Sequence, residues 1–595
     1  MGQTVLRALL LTLLFLPVAG MRRTWDLRSY SGDALALLTG RGWAYGYRHV
    51  ERFLSWLARA GAADRLTDAL AHWTTQLWHS AITAPAAPAY YYIDGHRKPV
   101  FSDNRIPRGL IGRTGAIEGC RALVLLHDAH GHPLLATTHR GDQHLTIGLP
   151  QILARYAATT GDRRIDHVVV DREGMGGDFL AGLVASGCTV VTILRADQYA
   201  GMSSFTEVGA FVPLVRDRHG VVVREVAPAR FALPIPSRPG EPLALQVALI
   251  RDLRCQVPDP ASANVSDGPH DPDGLPPHQC WWDWEWVATP LPAAPTQPKL
   301  IPIVTTAATC DPVALAEAYT ARWPQQENII RDFLIPLGID TNHGYTKTLV
   351  ENSEVAKQRT TLEQRRDRLH QWTESARTRA ARAARRADHH YRQRHARGAV
   401  LYRELNQQQA TLYGQGMDSY AVRRVIRDRK GEIDTELNAI MIQYERANRA
   451  HTAEGHKIEQ YCHDQRKVLR QLEDLHAREH QMYELNNDKD QVMTVCKVAL
   501  ANLAMWTRDH FFPDDYAHAT WKRLAPFFDL PGRVTWEHAT VRVELRPFND
   551  QQLTRDLRAL CARVNTQAPH LPDGRQLVLS VGLPSARNSV LHPRR

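Results

Sequence analysis

The sequence lacks the cysteine patterns that mark zinc-stabilised and disulfide-stabilised domains. No two of its 8 Cys form a Cys-x-x-Cys pair, which argues against a zinc knuckle. The cysteine spacing is not that of a disulfide framework either, so a reducing compartment is expected. No internal repeat is evident. At 44% hydrophobic and 23% charged residues, the composition excludes collagen-like, wholly disordered and mucin-like proteins.

The charge balance is modestly basic. The chain carries 73 Lys and Arg against 63 Asp and Glu, a formal net charge of +10 and a pI near 9.2. An excess of positive charge favours polyanionic partners. At roughly 100–200 residues per domain, the length of 595 residues predicts about three to five domains.

One apolar run stands out, at residues 5–20 (VLRALLLTLLFLPVAG) just before Met21. Its single Arg, apolar stretch and small residues are typical of a signal peptide. The run is too short, and too interrupted by Pro17, for a membrane span. The alternatives are an apolar first helix of a cytoplasmic protein and a start site placed upstream of Met21. We place the run in a helical N-terminal domain and expect no membrane association.

Shifts in composition along the chain predict four regions. An Ala- and Pro-rich linker at residues 81–89 separates the first two, and a Pro-rich, β-rich insertion at about 200–300 interrupts the second. The regions are a helical N-terminal domain at residues 1–85, an α/β domain at 86–350, a long helical, coiled-coil-like arm at 351–485, and a small α+β domain at 486–595.

The second region reads as β-β-β-α-β-α-β, an order that combines an antiparallel hairpin with parallel crossovers in one mixed sheet. The apolar run Tyr90–Ile93 is predicted to be the first strand, with Asp94 in the strand or at its end. The run Ile165–Val170 is predicted to be a buried strand that ends at Asp171. After the insertion, a long helix is predicted over residues 312–334.

Three carboxylates lie on these elements where chemistry could use them. Asp94 and Asp171 follow neighbouring strands, and Glu327 lies on the helix that begins after Asp311, its expected N-cap. Strand ends of this kind are where sites form in such sheets. Carboxylate oxygens are the ligands that Mg²⁺ prefers, and two such ions support in-line phosphoryl transfer. The alternative for each carboxylate taken alone is an ordinary acidic residue at a strand end or on a helix surface.

In this order and on these elements, the residues resemble the DDE transposases of bacterial insertion sequences. The β-rich insertion before the Glu is similar to that of the cut-and-paste group, and Tyr319, Arg322 and Glu327 are similar to its Tyr-x-x-Arg…Glu signature. The resemblance covers about residues 88–350. It implies an RNase H-like fold and an enzyme that cleaves DNA at the ends of its own element and joins those ends to target DNA.

The resemblance also implies roles for individual residues. Asp94, Asp171 and Glu327 would bind Mg²⁺ or Mn²⁺, as two ions. Tyr319 and Arg322 would hold DNA phosphates near the cleavage point, although Tyr319 is equally well explained as a packed helix aromatic. Arg331 would replace a Lys that the family carries at the position of Leu334. One of Trp282 and Trp284 would hold a flipped base; the alternative is that both belong to a buried sheet face.

The chain departs from the family in one spacing. Glu327 lies five residues after Arg322, where the family usually has four. Five residues turn an α-helix by about 500°, against about 400° for four. The two side chains would therefore share a face poorly, unless Pro324 starts the helix afresh.

These observations lead us to expect double-stranded DNA as the partner, a homodimer in the DNA complex, and a cytoplasmic, nucleoid-associated location. The eight Arg between residues 377 and 397, with Asp388 as the only acid, would contact DNA or a second protomer. The alternative is a solvated helical face. Two other functions stay open: a DNA-binding regulatory relic without catalysis, and a secreted protein of unknown function.

Overall fold

The structure is a computed structural model that describes residues 2–30, 43–79, 89–112, 114–161, 165–258, 296–476, 478, 480–571 and 574–582. The chain divides into two compact units, one of Met1–Thr348 with Tyr483–Arg595 and one of Leu349–Met482.

Helices and strands are numbered along the chain. The helices are α1 Gln3–Phe15, α2 Tyr47–Arg59, α3 Ala62–His79, α4 Leu145–Thr159, α5 Gly177–Ala185, α6 Pro312–Thr320, α7 Ser353–Gly414, α8 Ser419–His476, α9 Asp488–Phe511, α10 Trp521–Phe528 and α11 Gln551–Thr566. The strands are β1 Tyr90–Pro99, β2 Arg108–Ile111, β3 Ala116–His127, β4 Pro133–Arg140, β5 His167–Val170, β6 Thr189–Ile193, β7 Val212–Arg216, β8 Val222–Leu233, β9 Leu243–Pro258, β10 Thr296–Thr305, β11 Lys347–Glu351, β12 Gln481–Leu485, β13 Gly532–Trp536, β14 Thr540–Leu545 and β15 Gln576–Val581.

The first unit is built on a ten-stranded mixed sheet in the order β2-β3-β1-β5-β6-β10-β9-β8-β7, with β4 paired to β3. β1 is antiparallel to β3 and parallel to β5, and β6 is parallel to β5. The insertion does not form a sheet of its own in the described residues, because β7, β8 and β9 extend the central sheet through β10. The prediction of a mixed α/β class is confirmed.

The sheet is covered on both faces, which explains the apolar run in β3. Successive side chains of a strand point to opposite faces. Accordingly, Leu123 and Leu125 lie in a core with α9, whereas Val124 and Leu126 lie in a second core with α4. Strands buried on both faces have continuous apolar sequences of this kind.

The apolar run near the start of the chain forms α1. Leu9 and Leu13 are buried against Phe53 of α2 and against Val492 and Met493 of α9. This is the packing expected of an apolar first helix. Among the helices that the structure describes, none has the length and apolarity needed to cross a membrane.

The second unit is a helical hairpin. α7 has 62 residues and α8 has 58, so each is about 90 Å long at about 1.5 Å per residue. The ion pairs Arg379–Glu454 and Arg397–Glu436 show that the two helices are antiparallel. The buried seam of α7 repeats at three- and four-residue steps, as in a coiled coil. It consists of Leu369, Thr373, Ala376, Ala380, Ala387, Gly398, Leu401 and Leu405.

Two elements differ in extent from their sequence pattern. Asp94 lies within β1 and not at its end, because the polar half of the strand, up to Pro99, pairs with β3 residues Leu125 to Cys120. The helix expected over 312–334 is α-helical only to Thr320, and two π-helical turns follow at Trp323–Glu327 and Ile330–Leu334. Its start is as expected, since the Asp311 carboxylate accepts hydrogen bonds from the backbone N–H groups of residues 313 and 314.

A buried ionic network joins β1 and β3 to α9. The Asp490 carboxylate is fully buried, 2.5 Å from Lys98 Nζ and 3.8 Å from an Arg121 guanidinium nitrogen. The backbone N–H of His343 donates to the same carboxylate at 2.9 Å. Burial lowers the pKa of Lys98, and Asp490 acts against that change. The network is therefore stable only while every charge keeps its partner.

We expect Asp490→Asn to lower the free energy of unfolding by about 3–5 kcal/mol, since it leaves Lys98 and Arg121 buried without a compensating charge. Urea unfolding followed by circular dichroism measures the change. Asp488→Asn is the matched control in the same helical turn, where a partly exposed carboxylate contributes about 0.3–1 kcal/mol. Equal midpoints for the two variants would contradict the prediction.

Candidate functional site

The pairing of β1 with β5 brings the first two carboxylates together. The strands are parallel, and Ile93 lies opposite Val170 in their register. The next residues along each strand are Asp94 and Asp171, so these two side chains are neighbours at one position of the sheet. The Asp94 carboxylate also accepts a hydrogen bond of 2.8 Å from the Gly95 backbone N–H.

The third carboxylate reaches the same place through a π-helical turn. Across this turn the Asn328 backbone N–H donates to the Trp323 carbonyl, five residues earlier. A π-turn takes one more residue than an α-turn, so side chains five residues apart lie one above the other. The Nη2 atom of Arg322 is consequently 2.6 Å from Glu327 Oε1. The five-residue spacing is accommodated by this turn and not by a new helix start at Pro324.

Arg322 lies among all three carboxylates. Its Nη1 atom is 3.7 Å from Asp94 Oδ2, and its Nη2 atom is 3.7 Å from Asp171 Oδ1. The Arg322 side chain is only 7% exposed, whereas those of Asp94, Asp171 and Glu327 are 20–32% exposed. The guanidinium therefore forms the floor of the site, and the three carboxylate side chains above it are partly exposed.

The crowding of negative charge changes the acidity of the site. Burial raises the pKa of Asp94 to about 7, with Asp171 and Glu327 acting in the same direction and Arg322 against it. Burial also raises the pKa of Glu327, and Asp171 adds to that effect. Burial alone would lower the pKa of Arg322, but the surrounding carboxylates raise it. Groups held in this way are typical of functional sites.

Of the other expected site residues, Tyr319 lies at the carboxylates and Arg331 does not. The hydroxyl of Tyr319 points to Asp171 Oδ1 at 3.5 Å, and the Arg322 guanidinium carbon is 5.7 Å from its ring centre. Arg331 lies farther along the helix, where it forms a bidentate ion pair with Asp332 on the surface. Trp282 and Trp284 lie outside the described residues.

Two neighbouring side chains were missed by sequence reasoning. Gln326 is fully buried, and neither its amide nitrogen nor its amide oxygen has a hydrogen-bond partner among the described residues. Trp323 is 56% exposed directly beside Arg322. A buried amide without hydrogen-bond partners costs stability, and a largely exposed indole is uncommon in a segment with a purely structural role. The sequence feature that could have identified these two residues is their position between Arg322 and Glu327.

The donor chemistry of the site fits a hard divalent cation, because it consists of carboxylate oxygens. The distances between the carboxylates are not those of metal ligands around one ion. Within the part of the chain that the structure describes, no three His, Cys, Asp or Glu side chains are close enough together to hold an ion. The cation among these carboxylates in this structure is the guanidinium of Arg322.

In comparisons with known proteins, no family model matches this chain, and no curated protein matches it. The geometry of the site and the order of the strands are therefore the basis for any functional conclusion.

We expect Asp94→Asn to stabilise the metal-free protein at pH 8. A carboxyl group with a pKa near 7 when folded and near 3.8 when unfolded binds more protons in the folded state. The stability that it contributes is complete below about pH 4 and is lost as the pH rises through 7. A difference of one in pKa corresponds to about 1.4 kcal/mol, so the gain at pH 8 should exceed about 1 kcal/mol.

Thermal unfolding in EDTA from pH 5 to pH 8 measures this gain, which should shrink as the pH falls. Asp529→Asn, at an exposed position, serves as the control and should leave the unfolding curve unchanged at every pH. An Asp94→Asn protein that is no more stable than the wild type at pH 8 would refute the assignment of Asp94 as a destabilising carboxylate.

Proposed function

We propose that the chain is a DNA transposase whose first unit contains an RNase H-like core. The supporting observation on the fold is the strand order β4-β3-β1-β5-β6, in which three antiparallel strands are followed by two parallel ones. The observation that carries the proposal is the convergence of Asp94, Asp171 and Glu327 on one guanidinium.

In the proposed reaction, the three carboxylates would hold Mg²⁺ or Mn²⁺, as two ions. The bound metal would supply activation of the attacking water or 3′-hydroxyl and charge stabilisation at the leaving oxygen. Arg322 neutralises the carboxylates from below, and its planar fork matches the oxygens of a DNA phosphate. Tyr319 orients Asp171 through its hydroxyl, and Trp323 offers an exposed face beside the DNA.

Double-stranded DNA is the proposed partner, and the charge distribution supports it. Residues 349–482 contain 26 Lys and Arg against 19 Asp and Glu, so the hairpin carries most of the net charge of +10. A basic helical hairpin about 90 Å long is suited to contact many phosphates. Holding two element ends together requires a homodimer in the DNA complex, acting in the cytoplasm at the nucleoid.

A second candidate function is a regulatory relic that binds DNA without cleaving it. One observation favours it: Arg322 already fills the position among the carboxylates that a cation would take. The two functions differ in whether the protein cuts DNA.

Cleavage of labelled DNA that carries the inverted repeats flanking the gene, in Mg²⁺ or Mn²⁺, distinguishes them. We expect cutting at the repeat ends by the wild type and a loss of at least about 100-fold in Asp94→Asn, Asp171→Asn and Glu327→Gln, because each removes charge on which the chemistry depends. Asp197→Asn, on the surface beside Arg195, is the control and should cut normally. Binding without cutting would favour the relic.

We expect the hairpin to set the salt dependence of DNA binding. Arg382, Arg385 and Arg386 are exposed on α7. If each contacts one phosphate, replacing all three by Gln should flatten the slope of log K against log salt by about 2.7, since each contact contributes about 0.9. Fluorescence anisotropy of a labelled duplex measures the slope.

The control replaces Arg377, Arg379 and Arg397 by Gln. These side chains already pair with Glu374, Glu454 and Glu436, so they are less available to DNA. An equal effect of both triple variants would mean that general charge, and not a specific contact face, determines binding.

A further inference from the structure

A cavity of about 680 Å³ lies at the far end of β1 from the carboxylates. Its size is within the range of small-molecule and nucleotide sites. The lining residues that matter to the argument are Arg22, Arg23, Phe101, Asp340, Asn342 and Tyr345.

The face of β1 that carries Asp94 leads to the segment around Asp340 that lines the cavity. Alternate residues of a strand point the same way, so His96 and Lys98 follow Asp94 on that face. His96 Nε2 is 2.5 Å from the carboxylate of Asp340, and Lys98 Nζ donates to the Ile339 carbonyl at 3.3 Å. Pro99, which lines the cavity, is five residue steps along β1 from Asp94, a distance of about 17 Å at about 3.3 Å per step.

Positive charge is concentrated beneath the cavity. Lys98, Arg121 and Lys497 are buried there, with Asp490 as the buried carboxylate of the network. Asn342 links this layer to the cavity, since its amide oxygen accepts from Arg121 at 3.0 Å and its amide nitrogen donates to the Pro99 carbonyl at 2.6 Å.

The rim adds two more cations. Arg22 and Arg23 are exposed, and the acids among the lining residues are Asp26 and Asp340. The carboxylate of Asp26 is already engaged, because it accepts from the backbone N–H groups of Arg22 and Arg23 at 2.9 Å. Burial lowers the pKa of Lys497 to about 7, so it is left out of the charge balance. The other four cations face three carboxylates around this cavity, and an anionic ligand would restore the balance.

Two aromatic side chains stand at the same opening. Phe101 is 87% exposed and Tyr345 is 49% exposed. Exposed aromatic rings beside arginines are the combination that binds single-stranded nucleic acid, with bases stacking on the rings and phosphates pairing with the cations. A small anion such as free phosphate would use the arginines but not the rings.

We propose that this cavity binds one DNA strand, with Arg22 and Arg23 on phosphates and an unstacked base against Phe101 and Tyr345. The inference rests on the proposed function for its position along the DNA. Each strand of a duplex advances about 3.4 Å per nucleotide along the helix axis, so 17 Å corresponds to about five nucleotides of paired DNA between this contact and the cleavage point.

The first test is binding of a labelled oligo-dT 12-mer to the full chain in EDTA, where no cleavage occurs. Phe101→Ala should weaken binding by about 5- to 150-fold, because one stacked base is lost. Arg22→Gln with Arg23→Gln should flatten the salt slope by about 1.4, at about 0.7 for each phosphate of a single strand. The controls are Trp536→Ala and Arg195→Gln, at exposed positions outside the cavity, which should bind like the wild type.

The second test is photocrosslinking of a 5-bromodeoxyuridine probe, with the adduct located by mass spectrometry. The proposal expects adducts at Phe101 or Tyr345. Adducts elsewhere, with unaffected binding in the cavity variants, would overturn it while leaving the transposase proposal standing. Cavity adducts in a protein that never cuts element ends would support this site and count against the transposase. A wild type that binds no DNA would overturn both.

Discussion

The central sheet carries one electrostatic constraint on which the site depends, the crowding of three carboxylates around a single buried guanidinium. The pairing of β1 with β5 fixes Asp94 beside Asp171, so their repulsion cannot be relieved by moving either side chain far. The helical segment that follows α6 must bring Arg322 in beneath them, together with Glu327. Such an arrangement costs stability, and the apolar cores on the two faces of the sheet offset that cost.

The sequence was sufficient to predict the parts of the fold that follow from one periodic pattern. The buried strand before Asp171 ends at Val170, as its apolar run predicts, and α6 begins after its expected N-cap, Asp311. The polar half of β1 could not be predicted, because Asp-Gly-His-Arg-Lys reads locally as a turn. Its stability comes from partners far along the chain, such as Asp340 for His96 and Asp490 for Lys98. Interactions of this kind leave no local pattern in the sequence.

The candidate site was predictable in its composition but not in its internal geometry. The order Asp94, Asp171 and Glu327 indicated which carboxylates would meet, since each follows or lies on an element of recognisable pattern. The role of Arg322 as the common counter-ion could not be foreseen, because it depends on the three-dimensional path between α6 and Glu327. The cavity beyond His96 could not be predicted either, since its rim combines Arg22 and Arg23 with residues far along the chain, such as Phe101 and Tyr345.

The π-turn at Trp323–Glu327 has a consequence for recognising related sites. Pro324 has no backbone N–H, so the regular ladder of α-helical hydrogen bonds is already interrupted there, and one additional residue fits within the turn. Side chains five residues apart on this turn therefore face the same point, as side chains four apart do on an α-helix. A pattern search with a fixed gap between the arginine and the glutamate would pass over such a chain. An alignment that permits a gap of one residue at this turn would match the two spacings to the same geometry.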